Sequence, residues 1–167
     1  TGGAPMTTVL LLGVFLALLA CSAFFSSAET AYFSVDPIQL RRIGEKHPAT
    51  AERLRALLAA PTRLLSTILI GNTLVNIALA NVGYAVAEIW APAYAEAIAI
   101  PAVTLLLIFF GEIGPKNFGL LYTTVLVRFY GPPLKLAERL LALLRFALDL
   151  VSRRLAHLFR PAGKTLS

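Results

Sequence analysis

The chain has 167 residues, 57% of them hydrophobic and 14% charged, with a mean hydropathy of +0.75. That is too apolar for a soluble domain of this length. The formal net charge of +6 is accounted for by a membrane surface, so no nucleic-acid partner is called for, and a single cysteine, Cys21, rules out an internal disulfide framework.

Three stretches carry the apolar excess. Residues 1–28, 64–87 and 97–111 contain no Lys, Arg, Asp or Glu. An apolar run of about 18 residues or more can cross a hydrocarbon core of roughly 30 Å. Lipid offers backbone groups no hydrogen-bond partners, and runs this continuous are helices rather than barrel strands. The predicted fold class is an all-α integral membrane protein with three transmembrane helices, at roughly 7–27, 62–87 and 95–111, in one transmembrane domain, 1–167. A secretory signal over the first stretch is disfavoured. It lacks a positive n-region and a small-x-small cleavage pattern.

Between the first two spans, residues 28–60 read as a helical hairpin. Asp36 followed by Pro37 is an N-cap with proline at the first helical position, opening a short helix that Gly44 ends. Pro48 starts a second helix with Leu54, Leu57 and Leu58 on one face. Trp90 and Tyr94 suit the interface between spans two and three. After Gly111 the Glu-Ile-Gly-Pro-Lys stretch is expected to interrupt the helix, and Gly131-Pro132-Pro133 to break the chain again. Leucines recurring among charges over 134–158 predict a membrane-proximal amphipathic helix, with a fourth span as the alternative.

All fifteen Lys and Arg residues fall in two blocks, one from Arg41 to Arg63 and one from Lys116 to Lys164. The positive-inside rule puts both blocks in the cytoplasm. The expected arrangement is a multi-pass protein of the cell (inner) membrane, N-terminus outside and C-terminus cytoplasmic.

Polar groups inside a membrane are costly and mark sites. Ser22 and Ser26 are four apart on one helix face, with Ser27 beside them. Asn72 and Asn76 form a second such pair. Glu112 stands at the inner end of span three, before Pro115. Proline cannot donate to the carbonyl four residues back, which is that of Gly111. Each feature has a plainer reading: serines bonded to their own helix, an asparagine clasp between helices, and a helix end with Glu112 paired to Lys116. Glu29 reads as a cap for the hairpin rather than as a ligand. The depths agree, however. Asn72 lies about eight residues into its span, near ~12 Å at a rise of ~1.5 Å per residue. The three clusters therefore meet in the inner half of the membrane if the helices pack together.

Ser22, Ser26, Ser27, Asn72, Asn76, the Gly111 carbonyl and Glu112 would form an all-oxygen shell. Such a shell suits a hard cation, Mg²⁺, Ca²⁺ or Na⁺, and not zinc or copper. A cage of about six ligands favours Mg²⁺ over Ca²⁺, and the residues leave Mg²⁺ and Na⁺ as alternatives. His47 and His157 lie in the cytoplasmic segments, so no base stands at the depth of the serines and an enzyme is not expected.

Taken together, residues 21–31 (Cys-Ser-Ala-Phe-Phe-Ser-Ser-Ala-Glu-Thr-Ala), 71–76 (Gly-Asn-Thr-Leu-Val-Asn) and 111–116 (Gly-Glu-Ile-Gly-Pro-Lys) resemble the transmembrane DUF21 domain of the CorC/CNNM magnesium transporters. The resemblance implies a homodimer in the lipid bilayer that exports Mg²⁺, coupled to Na⁺ influx. It also implies regulatory CBS domains that bind ATP, expected outside this chain. The competing expectation is a non-transporting Mg²⁺ sensor or scaffold that regulates another channel.

Overall fold

The computed structural model describes residues 3–158, and these are helical with short connections and no β-strand. Helix α1 runs Gly3–Phe33, α2 Pro37–Lys46, α3 Pro48–Leu58 and α4 Pro61–Trp90. After a 3₁₀ turn at Pro92–Tyr94, α5 covers Ala95–Leu106 and passes into a π-helical stretch, Leu107–Ile113, then α6, Gly114–Leu121. Helices α7, Thr123–Leu140, and α8, Ala142–Leu158, follow.

Among the described residues, three rods are long and apolar enough to cross a membrane: Met6–Phe33, Pro61–Trp90 and Pro92–Leu121. A rod of 30 residues measures ~45 Å at ~1.5 Å per residue, more than the ~30 Å core. The ends of these rods therefore project past the hydrocarbon. That excess explains why α1 starts before Thr7 and reaches Phe33, six residues beyond the expected end of span one.

The third rod departs most from expectation. It does not stop at Gly111 but continues to Leu121. In an α-helix the ring of Pro115 would collide with the Gly111 carbonyl. Here the turn widens, and the Gly114 N–H donates to the Phe109 carbonyl, five residues back. A Cβ on Gly114 would lie 2.7 Å from that carbonyl oxygen, so glycine makes the wide turn possible.

The Gly131-Pro132-Pro133 break is also absent, and α7 runs through it. Gly131 and Leu134 are buried against the bundle, whereas both prolines face outward. The carbonyls of Arg128 and Phe129, which lose their helical donors, belong to exposed residues where solvent or headgroups can reach. The chain instead breaks at Leu141, so the single helix expected over 134–158 is the end of α7 plus α8.

The hairpin forms as its caps dictate. An Asp36 carboxylate oxygen accepts from the Gln39 N–H at 2.6 Å. Gly44 does not end α2, which continues to Lys46, and His47 makes the corner. Ile43, Ala51, Leu54 and Leu57 pack with Ala28, Tyr32, Leu64, Ile68, Leu126 and Leu134 into one core at this end of the bundle. A smaller core of Phe15, Leu79 and Val103 ties α1, α4 and α5 together at the other end. Helix α1 is the central element, touching α4, the π stretch, α6 and α7.

Candidate metal centre

The polar residues of α1, α4 and the π stretch meet beside the wide turn. Ser22 is fully buried, and its Oγ lies 2.7 Å from Asn76 Oδ1 and 3.2 Å from Asn72 Oδ1. A hydroxyl has one proton, so it serves one of these oxygens at a time. Asn76 turns its Nδ2 toward Glu112 Oε1, at a long 3.5 Å, which fixes its amide oxygen on the Ser22 side. Gly111 is buried directly across from Ser22. A Cβ there would stand 2.9 Å from Ser22 Oγ, so only glycine lets the third rod approach so closely. Three side-chain oxygens, a buried backbone stretch and a carboxylate are thus gathered from three helices.

Ser26, one turn along the same face, is 1% exposed, and its Oγ has no hydrogen-bond partner. The plain reading, a serine bonded to its own helix, does not hold for it. Leaving a buried hydroxyl unpaired costs about 1–3 kcal/mol, a cost that a bound ion or water would remove.

Ser27 is not brought into the cluster. Its hydroxyl donates to the Ala23 carbonyl at 2.7 Å or the Phe24 carbonyl at 3.2 Å and lies 3.2 Å from Tyr130 Oη. Five residues from Ser22 is ~140° around a helix, so the two serines look different ways. Cys21 is exposed, away from the buried face of α1. Among the described residues no group of three or more His, Cys, Asp or Glu gathers to hold a metal. The donor set is therefore hydroxyl, amide and carboxylate oxygen.

The surrounding charges are arranged around Glu112 rather than on it. Lys116, four residues on, pairs with Glu29 of α1 at 3.4 Å. Glu29 is thus neither a hairpin cap nor in the cluster, and Lys116 is held off Glu112. Sequence reasoning missed this pairing, and also Arg145 of α8, whose guanidinium donates to Thr67 Oγ1 at 3.3 Å. Thr67 donates in turn to the Arg63 carbonyl at 2.9 Å. Partners 87 and 78 positions apart leave no local signal in a sequence.

The chain matches the CNNM family model, described as the cyclin M transmembrane N-terminal domain, over residues 13–166. It is 36% identical over 101 residues to the UPF0053 inner membrane protein YfjD of Escherichia coli, covering 60% of this chain and 24% of that one. A putative DUF21 domain-containing chloroplastic protein of Arabidopsis thaliana is 41% identical over 107 residues, 62% of this chain and 16% of the relative. A UPF0053 protein of Haemophilus influenzae is 34% identical over 115 residues, 67% of this chain and 27% of the relative. The chain thus spans between 16% and 27% of the length of these relatives.

Proposed function

We propose, starting from the fact that this chain belongs to the CNNM family of transmembrane domains, that it is the ion-conducting part of a Mg²⁺ exporter. The reading adds Na⁺ influx as the coupled flow, a homodimer as the working assembly, and a cell (inner) membrane location with the α2–α3 hairpin in the cytoplasm. The transported ion sits between α1, α4 and the π stretch. Its ligands are Ser22, Ser26, Asn72, Asn76, the Gly111 carbonyl and Glu112. Regulatory CBS domains that bind ATP would act from elsewhere in the longer protein.

The observation that carries this reading is the convergence of oxygens on Ser22, with the unpartnered hydroxyl of Ser26 one turn along the same face. Octahedral Mg²⁺ with bonds of ~2.0–2.1 Å has neighbouring ligand oxygens roughly 3.0 Å apart. The Ser22–Asn76 and Ser22–Asn72 spacings of 2.7 and 3.2 Å bracket that value. An ion could replace the shared hydroxyl proton contact with little movement. One carboxylate leaves a dication under-neutralised, which suits an ion that must be released.

Flux of Mg²⁺ from liposomes containing the purified chain tests the reading. Transport lost in Glu112→Gln is the expected result. Tight Mg²⁺ binding with no flux, in the chain and in a full-length relative alike, would favour the sensor or scaffold instead.

A further inference from the structure

Away from the oxygen cluster, a cavity of about 560 Å³ opens between the α2–α3 hairpin and α7. Arg42, Lys46 and His47 line it from the hairpin and Arg128 from α7. A neighbouring cavity of about 400 Å³ shares the Lys46, His47 and Arg128 wall and adds Arg53. Among the described residues, none of Arg42, Lys46, Arg53 or Arg128 has a salt-bridge partner. Glu45 also lines the larger cavity, but Arg41 already lies 3.7 Å from it. The Arg128 guanidinium lies 3.4 Å from His47 Nε2. Cations crowded this way repel one another unless an anion stands among them.

The depth of this cavity follows from α7. Val125, Phe129, Leu136 and Leu140 are 52%, 64%, 56% and 72% exposed, and their spacing puts them on one stripe. Thr123, Leu126, Val127, Gly131 and Leu134 bury the other side against the bundle. A helix with an exposed apolar stripe, starting two residues after a membrane-crossing rod, lies at the acyl–headgroup boundary. Arg128 flanks that stripe, its guanidinium carbon 5.8 Å from the Phe129 ring centroid. The cations therefore stand at the level of lipid phosphates.

We propose that this cavity holds the headgroup of an anionic phospholipid of the leaflet on which α7 rests. The phosphodiester would accept from Arg42 and Arg128, whose planar guanidinium groups match phosphate oxygens. Basic pockets at the membrane face of helical bundles take such headgroups. Gln39 lines the same cavity, and its Oε1 is buried without a hydrogen-bond partner. That acceptor fits a headgroup hydroxyl, so a glycerol headgroup suits the site better than choline, which has no donor.

Native mass spectrometry of the full chain, released from micelles containing phosphatidylcholine and phosphatidylglycerol, tests the assignment. Phosphatidylglycerol should remain bound to the wild type and to Arg41→Gln, whose cation is outside the lining. The Arg42→Gln/Arg128→Gln double variant should bind it roughly 30-fold more weakly, two cations having been lost, and Arg42→Gln/Arg128→Lys, which keeps one of them, should bind it only about fivefold more weakly than wild type. If the double variant is not monodisperse, Lys46→Gln/Arg53→Gln should show a similar loss. Equal retention in all variants would overturn the proposal. So would displacement of the lipid by millimolar glycerol 3-phosphate, which would assign the cavity to a soluble phosphate.

Discussion

Glu29 and Lys116 illustrate how a partly exposed ion pair can matter without adding much stability. Their side chains are 28% and 48% exposed, and such a pair contributes about 0–1 kcal/mol to folding. Its consequence lies in where it keeps the ammonium. One helical turn separates Lys116 from Glu112, so a released Lys116 would compete with a metal ion for that carboxylate. Glu29→Gln should therefore lower Mg²⁺ affinity roughly three- to tenfold, an effect that shrinks as salt screens the charges. Adding Lys116→Gln should restore the affinity, as isothermal calorimetry on the three proteins would show. A loss that persists in the double variant would mean that Glu29 acts directly on the site.

Among the elements, the π stretch shapes the cluster because it carries Gly111 to Ser22 and Glu112 to Asn76. Its wide turn depends on Gly114, where a methyl group would press on the Phe109 carbonyl at 2.7 Å. Gly114→Ala should destabilise the domain by about 1–3 kcal/mol and weaken Mg²⁺ binding. Gly13→Ala, where a Cβ meets nothing within 4 Å, should do neither. Thermal melting in detergent compares them, and equal melting temperatures would show that the widened turn is not under this constraint.

This element also marks how far the sequence could be read. Charge-free runs and the Asp36 cap made the three rods and the hairpin legible, because hydropathy and capping are local. The four-residue spacings of Ser22 with Ser26 and of Asn72 with Asn76 likewise identified shared faces. Pro115 announced a disturbance, but not that the helix would absorb it by widening. That outcome depends on glycine at two positions and on the packing of α1. Gly131-Pro132-Pro133 misled for the same reason: tertiary burial of Gly131 and Leu134 outweighs the local cost of two prolines. Ser27 adjoins Ser26 in sequence, but its hydroxyl is engaged elsewhere, by the Ala23 carbonyl and by Tyr130, 103 positions away.

For the molecule as a whole, the proposed orientation, argued from the charge asymmetry, has the hairpin end cytoplasmic and the Trp90–Tyr94 end external. A cysteine at Ala93 should react with an impermeant thiol reagent applied outside intact cells, and one at Lys46 should not; Cys21 would be replaced by serine beforehand. The opposite pattern would invert the proposed direction of transport. The proposed homodimer should show twice the 18.0 kDa chain mass in detergent, and only monomer over a wide concentration range would contradict it.

In the proposed mechanism one ion binds among oxygens of α1, α4 and the π stretch, with Glu112 as the one carboxylate among its ligands. Calorimetric titration of Mg²⁺ into wild type and Glu112→Gln tests this most directly. One Mg²⁺ per protomer is the expected result in the wild type. Removing a full charge from beside a divalent ion should weaken binding by at least about tenfold. Wild-type affinity retained in Glu112→Gln would contradict it, returning Glu112 to the role of an ordinary polar residue near a helix end.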